Sequence, residues 1–396
     1  MHGYGLNAAI IISAIAGLGF ATGIMRYWPQ YLVAGDNARA KDTAQLGYIA
    51  TLLASLSILI IVALISLVPA FATNIGPPSF MITVAVLGGV IAFGDYSTNL
   101  LRAQGSTFVS MLPRDVLWRV ATPAVAYIVW RFGAGLNGTV SLALAAAVLV
   151  LLTAWQALHI RSNTTALTAN KIGDRGFFKL MPSLIPLWAA GIVFAMIQQF
   201  DVVIVGSLLS KAEAGSYFAA QKTAQLLSLV LIAGGLATAP HMSALYHARK
   251  LVELQALCRK LAIVIAVITI AGFIFLVITG KILLSIFDPQ FVAAYPILIA
   301  LAIGTVVDAV SGPNAYLMQM TKFESAYLKI LIGCYALVIA AQFMLIPRFG
   351  SFGAALASAS GVVLWNVLAI VILRKKAGLD PSLLSLFNPP RLKEQP

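Results

Sequence analysis

The sequence predicts an all-α, polytopic membrane protein with about eleven transmembrane helices in two pseudo-symmetric bundles of five and six. Three observations predict it: a composition too apolar for water, a train of helix-length apolar runs, and basic residues confined to alternate connections. Of 396 residues, 60% are hydrophobic and 10% charged, and the mean hydropathy is +0.94. Soluble globular chains carry about 25% charged residues. At less than half that share, most of this chain's surface has no means of facing water. One enlarged soluble core is excluded as well, because cores stop growing near ~250–300 residues. Lipid is the solvent that remains.

A run of ~20 apolar residues crosses the hydrocarbon core as a helix. Such runs fall at 6–28, 45–71, 80–102, 115–132, 139–160, 180–206, 214–238, 258–280, 292–317, 325–346 and 352–373. Two are interrupted: 115–132 by Arg119 and Pro123, and 180–206 by Pro182 and Pro186. Proline is tolerated inside membrane helices where neighbours or water satisfy the freed carbonyls.

The charges sort by connection. One alternate set carries Arg39, Lys41, Arg102, Arg114, Arg161, Lys171, Arg175, Lys179, Arg249, Lys250, Arg259, Lys260 and Lys322, and a tail with Arg374, Lys375, Lys376, Arg391 and Lys393. The other set carries Arg131, Lys211, Lys281 and Arg348. By the positive-inside rule the C-terminus lies in the cytoplasm and the N-terminus outside, in a multi-pass plasma-membrane protein. The same rule accounts for the net charge of +13, so a nucleic-acid partner is not expected. Cys258 and Cys334 lack metal-ligand spacing, and no metal or other cofactor is expected. The first residues, MHGYGLN, lack a basic n-region, and the run behind them ends in Arg26-Tyr27-Trp28-Pro29, so no cleavable signal peptide is expected.

The chain also repeats itself. Arg131-Phe132-Gly133 and Arg348-Phe349-Gly350 each precede a Gly/Ala-rich helix, and about one helix upstream of each lies a polar break, at 100–108 and 316–324. Gly3-Tyr4 opens a helix leading through Gly17 and Gly19 to Pro29; Gly215-Ser216-Tyr217 opens one leading through Gly234 and Gly235 to Pro240. This shared order describes a parallel duplication, as in transporters with two like halves. It predicts a five-helix bundle over 1–161, a cytoplasmic linker over 162–179, a six-helix bundle over 180–374 and a cytoplasmic tail over 375–396. The helix at 180–206 has no counterpart before Gly3, so an ancestral first helix is expected to be absent, by loss or by a misplaced start.

The segments FDVVIVGSLLSKAEAGSYFAAQKTAQLL (200–227), APHMSALYHARK (239–250) and LIPRFGSFGAALASA (345–359) resemble polysaccharide flippases. These are the O-antigen, lipopolysaccharide and exopolysaccharide translocases related to the multidrug and toxic-compound extruders. The resemblance implies two bundles around a central cavity. It implies flipping of a lipid-linked (polyprenyl-pyrophosphate) oligosaccharide to the outer leaflet by alternating access, for cell-surface polysaccharide biosynthesis. A polysaccharide polymerase or glycosyltransferase would be its neighbour, and membrane lipid its surroundings.

A charge at bilayer depth costs roughly 2.5–3.5 kcal/mol on insertion scales and therefore tends to face a bundle interior. Lys222, flanked by Gln221 and Gln225, and Arg26 are candidates to attract a substrate phosphate, or they snorkel to an interface. Arg119 and Lys329 read as interfacial anchors. Asp95 and Asp308 each precede a polar break and are candidates to couple transport to H⁺ or Na⁺, or they hold structural hydrogen bonds. Gln198 and Asp201 form a cluster that either touches substrate or pairs neighbouring helices. Gly191, Gly234, Gly235 and Gly304 are expected to allow close helix packing, and Gly312-Pro313 to break its helix. The apolar tail 381–390 is expected on the cytoplasmic membrane face, beside Arg374-Lys375-Lys376.

A second transport reading is a cation-coupled drug or metabolite exporter. A membrane glycosyltransferase or polymerase is disfavoured, because His2, His159, His241 and His247 are scattered and the outer connections are short. No nucleotide-binding loop is present to supply ATP drive.

Overall fold

The computed structural model describes residues 2–68, 76–132, 137–163, 175–388 and 390. Gly133, Lys171, Arg391 and Lys393 lie outside the described residues, as do the side chains of Tyr4, Arg114, His159, Arg161, Arg175, Gln198 and Gln199. All regular structure among the described residues is helical, and the chain divides into two compact units, 1–195 and 196–396.

In the first unit, α1 (His2–Ala16) and α2 (Phe20–Val33) form one bent run, turned by 43° at Gly17-Leu18-Gly19. Gly19 takes φ 75°, and a Cβ there would stand 2.5 Å from the Leu184 carbonyl oxygen, so glycine is required twice over. Helix α3 (Asn37–Ser66) starts where Asp36 caps it, the Oδ1 accepting from Arg39 N at 3.0 Å. Helix α4 (Pro78–Ala103) is the axis of the unit and packs against α1, α2, α3 and α7 (Gly138–Asn163). Its fit depends on small neighbours: Tyr96 Oη donates to the Ala44 carbonyl at 2.8 Å over Gly47, where a Cβ would stand 2.3 Å from Tyr96 Oη. Between α4 and α7 lie α5 (Thr107–Met111), a π-helical turn over Leu112–Leu117 that accommodates Pro113, and α6 (Trp118–Arg131).

Helix α8 (Arg175–Leu208) carries the division between the units inside it: Leu180 and Leu184 join a core of the first unit, and Ile204 and Val205 a core of the second.

The second unit repeats the order of the first. Helices α9 (Lys211–Gln225) and α10 (Leu229–His247) are joined by a 3₁₀ turn at Leu226–Ser228 and followed by the long α11 (Leu251–Phe287). The axial helix is α12 (Tyr295–Ser311), packed against α9, α11 and α14 (Glu324–Lys376). Gly312, at φ 76°, ends α12 before the short α13 (Asn314–Met320), as expected of Gly312-Pro313. Of the glycines expected at close helix contacts, Gly234, Gly235 and Gly304 are crowded by Leu261, Tyr316 and Ala359, whereas Gly191 faces open space.

Eight helices are long and apolar enough to cross a membrane, or nine counting the bent α1–α2 pair, among the described residues. The two expected spans beyond these have physical explanations. Helix α14 has 53 residues, ~80 Å at 1.5 Å per residue, against a hydrocarbon core of about 30 Å. Gly350 (φ 59°, ψ −149°) breaks it into two segments that match the runs at 325–346 and 352–373. Helix α6 has only 14 residues and reaches spanning length by continuing from α5 and the π turn. The surface is that of a chain solvated by lipid: Leu53, Leu64, Val267 and Ile278 are 58–74% exposed on α3 and α11. This is an all-α, multi-pass membrane protein.

The start of the tail packs on the second unit. Residues 377–382 are buried in the second unit, whereas Leu384, Leu386 and Phe387 remain exposed. Arg374 is ion-paired with Asp380 of the tail.

Candidate functional site

A polar cluster within the spans is built around Asp201, 5% exposed in the second unit. Three other stretches of chain reach its carboxylate. Gln342 Nε2 donates to Oδ1 at 2.8 Å, Ser358 Oγ to Oδ2 at 2.8 Å, and Tyr217 Oη to Oδ2 at 3.3 Å. Gln342 Nε2 also donates to Ser358 Oγ at 3.1 Å. Residues 342 and 358 would stand ~24 Å apart on one straight helix. The Gly350 break folds the two segments of α14 back on each other and brings both side chains to one carboxylate.

No lysine or arginine pairs with Asp201 among the described residues. A buried carboxylate without a counter-charge is costly, and is relieved by a proton or a bound cation. Gln342 Oε1 is buried with no hydrogen-bond partner among the described residues. Rotating that amide would present its carbonyl beside the Asp201 carboxylate, Ser358 Oγ and Tyr217 Oη. All are hard oxygen donors of the kind that hold small cations.

Asp308 ends a second chain of polar groups. Asn366 Nδ2 donates to Asp308 Oδ1 at 2.8 Å, and Asn314 Nδ2 to Asn366 Oδ1 at 2.9 Å. This chain ties α12, α13 and the last segment of α14 together across the Gly312 break. Asp95 is partly buried on α4, so the two acids paired by the sequence repeat lie one in each unit, each on its axial helix.

Lys222 is partly buried on α9, its Nζ donating to Gln225 Oε1 at 3.2 Å and standing 5.3 Å from the Phe218 ring centroid. Gln221 is buried, with Oε1 unpartnered among the described residues. Arg26 is buried in the first unit, its guanidinium 5.5 Å from the Tyr27 ring centroid. Arg119 and Lys329 are exposed. The structure therefore joins Lys222 to Gln225, and joins Asp201 to Tyr217, Gln342 and Ser358 rather than to Lys222. Gln342, Ser358, Asn314 and Asn366 were not singled out by the sequence, and Tyr217 only as part of a repeat marker. The available signal was a lone amide in an otherwise apolar run, as in AAQFML and LWNVL.

In the first unit an apolar groove of about 380 Å³ runs between α3, α4 and α7, lined by Leu56, Ala85, Gly89, Phe93 and Thr153 among others. It offers almost no polar group to select a solute. No group of three or more His, Cys, Asp or Glu is arranged to hold a metal ion among the described residues.

No protein-family model and no curated protein matches the sequence. Solved structures do match in fold. A MATE transporter in complex with MaD5 is 15% identical with a TM-score of 0.79, covering 93% of this chain and 85% of that one. An outward-facing multidrug-resistance MATE transporter of the MOP superfamily has a TM-score of 0.78 at 15% identity, over 93% of this chain and 85% of that one. A MOP superfamily transporter from Pyrococcus furiosus has a TM-score of 0.77 at 15% identity, over 96% and 86%.

These matches correct the flippase assignment. The architecture is that of MATE transporters, not specifically of an O-antigen or exopolysaccharide branch. The lipid-linked oligosaccharide, the polymerase or glycosyltransferase neighbour and the role in lipopolysaccharide biosynthesis lose their support with it. The resembling segments report geometry and not cargo. Ser210 Oγ accepts from Glu213 N at 3.1 Å as the cap of α9, and Glu213 accepts from Ser351 Oγ at 2.6 Å. Gly350 breaks α14. Such features serve the bends of the fold, and fold alone does not specify a cargo.

Proposed function

We propose that this chain is a cation-coupled exporter of a small organic solute, with Asp201 as the coupling carboxylate. The observation that carries the reading is a buried, charge-unpaired carboxylate on α8 ringed by oxygen-bearing side chains from α9 and both segments of α14. The likeness in fold to MATE transporters supports the transport class. In this scheme Na⁺ or H⁺ replaces the hydrogen bonds that Gln342 and Ser358 now give to Asp201. Loss and gain of those bonds would alter how α8 seats on α14, and so couple ion occupancy to helix position.

Asp308 and Asp95 are the further coupling candidates. Lys222, Gln221, Gln225 and Gln198 in the second unit, and Arg26 in the first, are the candidates to contact the solute. The orientation that fits the basic connections puts the C-terminus in the cytoplasm and the N-terminus outside.

The test begins with cation binding. Thermal unfolding of the purified protein is measured in NaCl against choline chloride, and across pH. A cation that binds the folded state raises the Tm. Native protein responds to Na⁺ or to acidification, and Asp201→Asn loses that response while keeping a cooperative transition. Driven transport follows, with fluorescent dye efflux from everted vesicles under an imposed Na⁺ or pH gradient, and Asp201→Asn uncouples it. A native protein indifferent to both cations would refute the coupling role.

A further inference from the structure

We propose that residues 377–386 form a releasable latch that holds the Gly312 break between α12 and α13, and that release of this latch is a step in the transport cycle. The second clause rests on the exporter reading; the docking does not.

The latch begins where α14 ends. Ala377 N and Leu379 N both donate to the Leu373 carbonyl, at 2.9 and 3.3 Å, and Gly378 takes φ 66°. The chain turns back at that left-handed residue. The next residues enter a slot beside the first turns of α11. One side chain recognises the tail backbone there: Gln255 Nε2 donates to the Asp380 carbonyl at 2.6 Å, and Asp380 N donates to Gln255 Oε1 at 2.9 Å.

The Asp380 side chain is fully buried and fully satisfied. Oδ1 accepts from Ser382 N at 2.9 Å and Ser382 Oγ at 2.6 Å, and Oδ2 accepts from Arg374 Nε at 2.7 Å and from Arg374 Nη2. A buried ion pair adds little net stability, but removing one partner strands the other and is strongly destabilising.

The tail is fitted to the helix break. A Cβ on Gly312 would stand 2.1 Å from the Pro381 carbonyl oxygen and 3.3 Å from Ala262 Cβ. The Pro381 carbonyl thus fills the space that a side chain at position 312 would need. A Gly-Pro break on the axial helix is a place where a helix absorbs a change of bend. Here that break is wedged between α11 and a buried segment whose hydrogen bonds to α11 come from one amide, Gln255. Arg374 of the ion pair is 29% exposed, so water has access to the point of release.

Cys258 reports on docking. It follows Gln255 by three residues and precedes Ala262 by four, which puts it on the same face of α11, under the tail. It is 1% exposed. Maleimide labelling of Cys258 is measured in a Cys334→Ser background for native protein, Gln255→Leu and Arg374→Ala. Native Cys258 labels slowly, and each variant labels at least about tenfold faster, tenfold in the opening equilibrium corresponding to ~1.4 kcal/mol. The same variants with Cys258→Ser, retaining Cys334, give the control, because Cys334 is buried elsewhere in the unit. Its rate stays unchanged. Equal labelling of Cys258 in all three proteins overturns the docking, and parallel acceleration of Cys334 assigns the effect to general loosening and overturns it as well.

Release is tested by locking. Gln255→Cys with Asp380→Cys, in a chain lacking both native thiols, is bridged by a short bifunctional methanethiosulfonate. Bridging blocks dye efflux, and dithiothreitol restores it. Undiminished efflux from the bridged protein overturns the release step. Absence of efflux from native protein counts instead against the exporter reading, and the labelling still decides the docking.

Discussion

At the scale of single residues, Gln342 decides what the Asp201 site can do. Its amide now donates to both Asp201 and Ser358, and its carbonyl oxygen is left without a partner among the described residues. Such an orphan acceptor costs ~1–3 kcal/mol when buried. The cost is recovered if the carbonyl serves a cation. Gln342→Leu removes donor and acceptor together and leaves the Asp201 carboxylate less well satisfied. Na⁺ affinity, read from the concentration dependence of the Tm shift, is expected to fall by about tenfold or more, since a carbonyl ligand to the ion is lost and a bond to a charged group is worth roughly 1.5–3 kcal/mol. An unchanged midpoint would remove Gln342 from the site. Lys222 and Gln225 are a contrasting case: their 3.2 Å bond lies along one helix, so the sequence spacing alone was enough to pair them.

At the scale of elements, the breaks carry the design. The Gly17–Gly19 bend, the Leu226–Ser228 turn, Gly312 and Gly350 interrupt helices that would otherwise run straight through. Gly350 is the informative one, because its backbone lies where only glycine is comfortable and no atom would crowd a Cβ there. Gly350→Ala therefore tests conformation alone. It is expected to destabilise the protein by roughly 1–3 kcal/mol and to lower the Tm in detergent. Because the break also sets Gln342 against Ser358, the cation response should weaken with it. Gly191→Ala is the control: it adds the same methyl to open space inside a helix and should leave the Tm unchanged or slightly raised.

At the scale of the whole molecule, lipid as solvent explains the composition, the exposed faces of α3 and α11, and the expected orientation. Fusing a fluorescent protein that folds only in the cytoplasm to the C-terminus should give a bright product, and a periplasmically active phosphatase at the same position an inactive one. The reverse pair of results would invert the orientation. The net charge of +13 bears on this scale only, as loop charge that sets orientation, and it gave no guide to the cargo.

What the sequence determined by itself was the solvent, the helices and the duplication. These follow from local quantities: the length of an apolar run, the charge in a connection, the order of glycines. Lys222 with Gln225 and the Gly312-Pro313 break were legible for the same reason, each being contained within a few residues. Tertiary structure alone decided that Asp201 meets Gln342 and Ser358, 141 and 157 residues away, and that the tail docks on Gln255. The physical reason is common to both. In lipid every helix satisfies its own backbone, so helices form without reference to one another. Which polar side chains then meet is settled by packing and by the angle at each break, quantities that no window of sequence contains.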